Sequence, residues 1–151
     1  LVQYTQLVAD GLKNRQDAVS GCWYQLLQYD ANLSSSCGIN NYLESSASSM
    51  FTYAYLKAIR LKLIDKNTYA PVAEKAFKGL IKQFVVIEPE KNTIKLIQSC
   101  ESAGLSSSRK GDANYYLCGN DVAIHNNTEG KVLGPFIMAC LEYEKCRKKC
   151  K

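Results

Sequence analysis

The chain has 151 residues, one domain's worth, and 46% of them are apolar, which is ordinary for a globular protein. It contains no apolar run long enough to span a membrane as a helix and no signal-peptide pattern. The net charge of +5 sits at the very end: Lys145, Arg147, Lys148, Lys149 and Lys151 supply five of the 19 basic residues, and the other 14 balance 14 acidic ones. No aromatic residue from Cys146 onward offers a face for a base to stack on, so neither a nucleic-acid nor a membrane partner is expected. Seven cysteines without a CxxC pair and a single histidine do not assemble a zinc site, so no metal or other cofactor is expected. Their odd number argues against a fully bonded framework and leaves room for one or two disulfides.

The first element begins at once. Over residues 1–16, Leu1, Tyr4, Leu7, Val8 and Leu12 share one helical face, opposite Gln3, Gln6, Asp10, Lys13 and Asn14. No capping residue precedes them, which predicts a helix already under way and a chain that is part of a longer polypeptide. Residues 22–27 (CWYQLL) have strand-like content. A second helix is predicted over 45–62, where Ala47, Met50, Phe51, Ala54, Tyr55, Ala58, Ile59 and Leu61 occupy most of the circumference. Ser45 or Ser46 is its expected N-cap, with Glu44 just outside, where the helix dipole favours a carboxylate. Residues 69–86 predict an amphipathic helix with Val72, Ala73, Ala76, Phe77, Leu80, Ile81 and Phe84 against Glu74, Lys75, Lys78, Lys82 and Gln83. Short extended pieces follow at 93–97 and 115–118, separated by a glycine- and serine-rich loop at 104–111. The last predicted helix, 134–145, is again apolar on most sides and opens with Gly134-Pro135, the proline pre-set for a first turn. Cys140 reads there as a small core residue.

A helix with one apolar stripe covers a core from outside, whereas one apolar all round is packed on several sides. The order here is outer, inner, outer, inner. That suits concentric helical layers better than a four-helix bundle, whose members would look alike. The fold class expected is therefore all-α, part of an (α/α)6 barrel with short β segments in its connections, and residues 1–151 form one segment of it. The serines after Glu44 outnumber what a cap needs, so a polar pocket is expected at the end where the inner helices begin. Trp23 reads as packing, and His125, four residues after Asp121, as a hydrogen-bonding loop residue.

Four segments in order carry a resemblance. They are Gln16-Asp17 with Gly21-Cys22-Trp23-Tyr24-Gln25; Asn41 to Phe51 with Tyr53-Ala54 and Lys57-Ala58-Ile59-Arg60; Tyr69 to Leu80; and Lys131 to Phe136, running on to Glu142. The chain resembles the unsaturated glucuronyl and rhamnogalacturonyl hydrolases, glycoside hydrolase family 88/105, over nearly its whole length. The resemblance implies an (α/α)6 barrel whose inner helices begin near the substrate, and makes this chain its C-terminal part. It also implies a reaction without metal, in which an aspartic acid protonates the C4=C5 double bond of an unsaturated uronic acid and water adds at C5. The family's catalytic aspartates and its RGNGW-like segment belong upstream, and none of Asp10, Asp17, Asp30, Asp65, Asp112 and Asp121 occupies a matching position. The segment alone is thus expected to lack the catalytic acid and to be inactive.

Candidates to line the remaining half of the site, for an unsaturated oligosaccharide derived from pectin or a glycosaminoglycan, are Glu44, Ser45, Tyr115, Tyr116, Asn126 and Asn127. The turn at 126–134 departs from the family's tighter NDGKGVGPF-like pattern. The expected partner, besides substrate, is the missing N-terminal half of the barrel or a second copy, since half a barrel would leave apolar flanks open. A bacterial cytoplasm or periplasm is the expected location. The alternative reading is a non-catalytic helical carbohydrate-binding or interaction module descended from the barrel.

Overall fold

The computed structural model describes residues 1–104, 106–107, 109–119 and 122–148. Its helices are α1 (Val2–Lys13), α2 (Ser45–Arg60), α3 (Lys66–Phe84), α4 (Ala113–Cys118) and α5 (Gly130–Lys148). Two short antiparallel ribbons connect them: β1 (Val85–Glu88) with β2 (Thr93–Leu96), and β3 (Ser99–Cys100) with β4 (Ile124–His125). The first ribbon pairs Val85 with Leu96 and turns through Pro89–Lys91, with Asn92 in the left-handed region at φ 49°. The second pairs Ser99 with His125.

α2 is the central element, packed along α5 and α3, with α1 against its other flank. One buried cluster gathers Trp23, Tyr55, Leu56, Ile64, Tyr69, Val72 and Ala73; the other gathers Cys22, Leu80, Phe84, Leu96, Val132, Phe136 and Ala139. Trp23 is fully buried, as expected of a packing residue: it stacks on Tyr55, meets Phe51 edge-on, and its ring N–H donates to the Leu12 carbonyl at 2.7 Å. That bond, with the Tyr55 hydroxyl on the Ala9 carbonyl and Tyr69 on Asp10, fastens α1 to the layer beneath it. The segment before Trp23 lies directly on α3. A methyl group at Gly79 would clash with the Ser20 carbonyl and come within 2.8 Å of the Cys22 sulfur, so close approach requires glycine there. Gly21, at φ 76°, meets the Lys75 backbone on the same contact.

Four local expectations are corrected. Residues 22–27 form only a single bridge, Tyr24 to Leu43, because the chain turns away once Gln25 N–H has bonded the Tyr42 carbonyl at 2.8 Å. Residues 115–118 are helical: Asp112 accepts the Tyr115 N–H at 2.9 Å and starts α4, overriding the β-propensity of the tyrosines. α5 starts at Gly130, four residues earlier than predicted, with the Glu129 carbonyl accepting the N–H of Val132 and Leu133, so Pro135 lies inside the helix. The apolar circumference of α5 is buried on one stripe only, through Val132, Phe136, Ala139 and Glu142, while Leu133, Ile137, Met138 and Leu141 stand exposed. Cys140 is half-buried against the second cluster. Within the expected loop at 104–111, Leu105 and Ser108 lie outside the described residues, as do Asp121 and the tail residues Lys149, Cys150 and Lys151.

Candidate functional site

The N-terminal end of α2 is built from three pieces of chain: residues 41–45, 98–100 and 124–127. The N-cap is Glu44 rather than a serine. Its longer side chain reaches back to the orphan N–H groups of the first turn, Ser46 at 3.1 Å and Ala47 at 2.5 Å, and across to the Cys100 N–H at 2.8 Å. The Ser46 hydroxyl bridges both carboxylate oxygens at 2.8 and 2.9 Å. With only 2% of its surface exposed, Glu44 is a buried carboxylate surrounded by donors, at the helix end where the dipole favours negative charge.

Ser45 is 1% exposed, and its N–H donates to the Gln98 carbonyl at 3.0 Å. Gln98 takes a left-handed backbone conformation, φ 66°, and its own N–H donates to the Asn126 side-chain oxygen at 3.2 Å. Glu44, Ser45 and Asn126 are thus brought together through Gln98 and Cys100. Asn126 and Asn127 are exposed at the surface of this group. The Ser45 and Ser99 hydroxyls, both buried, have no hydrogen-bond partner among the described residues. Burial pushes the Tyr42 phenol and the Cys100 thiol upward at the same place, with Glu44 beside each adding to the effect. The other serines are internal ties: Ser48 accepts from the Trp23 N–H at 3.0 Å, and Ser49 donates to the Ser45 carbonyl at 2.7 Å.

Tyr115 and Tyr116 lie on α4, ring edge to face at 5.1 Å. The Tyr115 hydroxyl accepts from the Gly104 N–H and donates to its carbonyl. A Cys37–Cys118 disulfide and a 2.8 Å bond from the Ser36 N–H to Asn114 tie α4 to the loop that leads into Glu44. His125 lies in β4 rather than in a loop; its ring hydrogen-bonds Glu129 at 2.6 Å, as the hydrogen-bonding reading implied, and stands 3.2 Å from the Glu101 carboxyl. Lys131 first, and His125 after it, hold the Glu129 carboxyl below the usual range. Gln98, Ser99 and Cys100 carry no local pattern, and Gln25, whose side chain donates to the Cys100 sulfur at 3.3 Å, stood out only as the end of the Gly21–Gln25 segment. Their roles come from strand pairing and a backbone conformation that no spacing encodes. A cavity of about 600 Å³ lies at the opposite end of α2, lined among others by Ile59, Arg60, Leu63 and Lys66.

The sequence profile of Glycosyl Hydrolase Family 88 matches residues 1–147, and the chain belongs to that family. A glycoside hydrolase from family 105 of C. acetobutylicum is similar in structure, with a TM-score of 0.76 and 35% identity over 91% of this chain and 35% of its own. Possible members of the GH105 family from Salmonella enterica and Klebsiella pneumoniae follow at TM-scores of 0.65 and 0.60, with 29% and 28% identity. Each covers over nine tenths of this chain, and the match takes in 30% of each of theirs. The 24.9 kDa protein in picA locus of Rhizobium radiobacter and Protein Atu3128 of Agrobacterium fabrum are each 29% identical over 149 residues. The chain spans 59% of the length of these curated relatives and about a third of the solved structures. Its helical layers are therefore part of the (α/α)6 barrel of that family.

Proposed function

We propose that residues 1–151 are the C-terminal part of an unsaturated uronyl hydrolase and supply one wall of its sugar pocket. An aspartic acid from the upstream part of the barrel protonates C4 of the C4=C5 double bond in a terminal unsaturated uronic acid. Water adds at C5, and the hemiketal so formed opens and releases the sugar that was attached. The substrates are short oligosaccharides derived from pectin or a glycosaminoglycan. The observation that carries this reading is the pair of exposed amides, Asn126 and Asn127, at the buried N-terminal end of α2. Side-chain amides suit sugar hydroxyls as paired donors and acceptors, and this end is where the family's inner helices meet substrate. In this reading Glu44 and Ser45 hold the wall from behind, while Tyr115 and Tyr116 offer aromatic faces beside it. Membership of Glycosyl Hydrolase Family 88 supports the reaction class. The exposed apolar faces of α1 and α5 support a partner that completes the barrel.

The test is the loss of ultraviolet absorbance of an unsaturated disaccharide. Turnover is expected from a polypeptide that includes the upstream barrel, and none from the 151-residue chain alone. Replacing Asn126 and Asn127 together with alanine should raise KM about tenfold with little change in kcat. Turnover by the chain alone would sink the incomplete-site reading. A longer polypeptide that cleaves saturated glycosides and ignores unsaturated ones would sink the substrate assignment.

A further inference from the structure

The disulfide joins Cys37 to Cys118 across 81 residues, and the two ends it connects differ in how firmly they are held. Cys37 lies in a loop closed on itself: Ser34 bridges Asn40, and the Ser35 N–H and hydroxyl both donate to the Ile39 carbonyl, at 3.0 and 2.7 Å. The next residue, Asn41, is buried; its amide donates to the carbonyls of Leu26 and Tyr29 at 3.1 and 2.9 Å, and its oxygen accepts the Leu26 N–H at 3.0 Å. That side is anchored through Asn41 directly into the Glu44 cap. Cys118 ends α4, a six-residue helix that buries only Leu117. Neither buried cluster of the fold includes an α4 residue. The ties of α4 besides the disulfide include the Ser36–Asn114 bond, Tyr115 on Gly104 and the Arg109 guanidinium over the Tyr115 ring.

We propose that the Cys37–Cys118 bridge is a reducible latch: it fixes α4, with its Tyr115–Tyr116 pair, against the loop that leads into Glu44, and a dithiol releases α4 without unfolding the helical layers. Cys37 is at the surface, where a dithiol reaches it. The reductant's thiolate attacks one sulfur and the S–S bond breaks, leaving a mixed disulfide. Its second thiol then displaces the remaining cysteine. Cys37 and Cys118 end as two thiols carrying the reductant's two protons, and the reductant leaves as a cyclic disulfide. Desolvation pushes the buried Cys22 thiol up to about 12 and raises the Cys100 and Cys140 thiols, which lowers the thiolate fraction each offers to exchange.

Amide hydrogen exchange read by mass spectrometry tests this, on the chain purified without reductant and then treated with dithiothreitol. The expected result is that peptides covering residues 109–119 exchange about tenfold faster or more after reduction, with peptides of α2 and α3 unchanged. The double variant Cys37→Ser, Cys118→Ser should show the fast exchange with or without reductant. If that variant does not fold, the reductant titration of the unaltered chain decides alone. Three results would overturn the latch: unchanged exchange in α4, loss of protection in α2 and α3 together with α4, or full alkylation of Cys37 and Cys118 before reductant is added.

Discussion

The start of α2 and the outer faces of α1 and α5 invert the usual distribution of polar and apolar residues. At the start of α2, Glu44, Ser45, Ser48, Ser49 and Thr52 are buried, while Leu1, Tyr4 and Val8 of the first helical segment and Leu133, Ile137, Met138 and Leu141 of α5 are exposed. The polar group tolerates burial because most of it is bonded: Glu44 takes donors on both oxygens, and the Ser49 and Thr52 hydroxyls donate to carbonyls one turn back, each at 2.7 Å. Small hydroxyl side chains also let the 23–25 segment approach the helix closely. The apolar faces lack any such explanation from within the described residues; they carry the composition of a covered surface. Burial in this chain therefore tracks bonded partners at one end of α2 and the extent of the barrel at the flanks.

The largest effect should come from the shared support of both regions. Trp23→Ala removes the ring that joins α1 to α2, and should cost about 3–5 kcal/mol in urea unfolding. An unchanged midpoint would show that α1 is held independently. Next, Glu44→Ala strips the cap and leaves the Ala47 and Cys100 N–H groups unpaired, at about 2–3 kcal/mol, with Glu44→Gln recovering part of it. A neutral Glu44→Ala would separate this carboxylate from the fold and favour a direct role with ligand.

A smaller, pH-dependent effect is expected at the far end of α2. There Arg60 donates to both oxygens of the nearly buried Glu142, at 2.5 and 2.9 Å, and Lys145 stands at 3.3 Å. The Arg60 hydrogen bonds, and Lys145 after them, hold the Glu142 carboxyl below its ordinary value. A depressed folded-state value means that the stabilisation is present above the unfolded carboxyl's range, and fades as pH falls through the folded one. Melting curves of the unaltered chain and Glu142→Gln should differ at neutral pH and converge below about pH 4. Parallel curves at all pH values would break the assignment. Least in stability, Ile137→Lys with Met138→Lys on the open face of α5 should change unfolding by no more than about 0.5 kcal/mol. The same pair should reduce self-association in sedimentation. A large loss of stability would mean that this face is already covered within the chain.

The sequence alone determined the helices that span several turns, the family and the packing role of Trp23. Each of those rests on periodicity or on motifs carried within a short stretch. Helix ends were less legible, since a cap depends on which side chain reaches the free N–H groups. Glu44 displaced the serines for that reason, and Asp112 turned a β-like tyrosine run into α4. Only the tertiary structure decided which cysteines pair, that Glu142 meets Arg60 across 82 residues, and that Gln98 links Ser45 to Asn126. Those contacts arise from chain segments brought together by burial of the common core, and no local spacing records which distant residue will arrive.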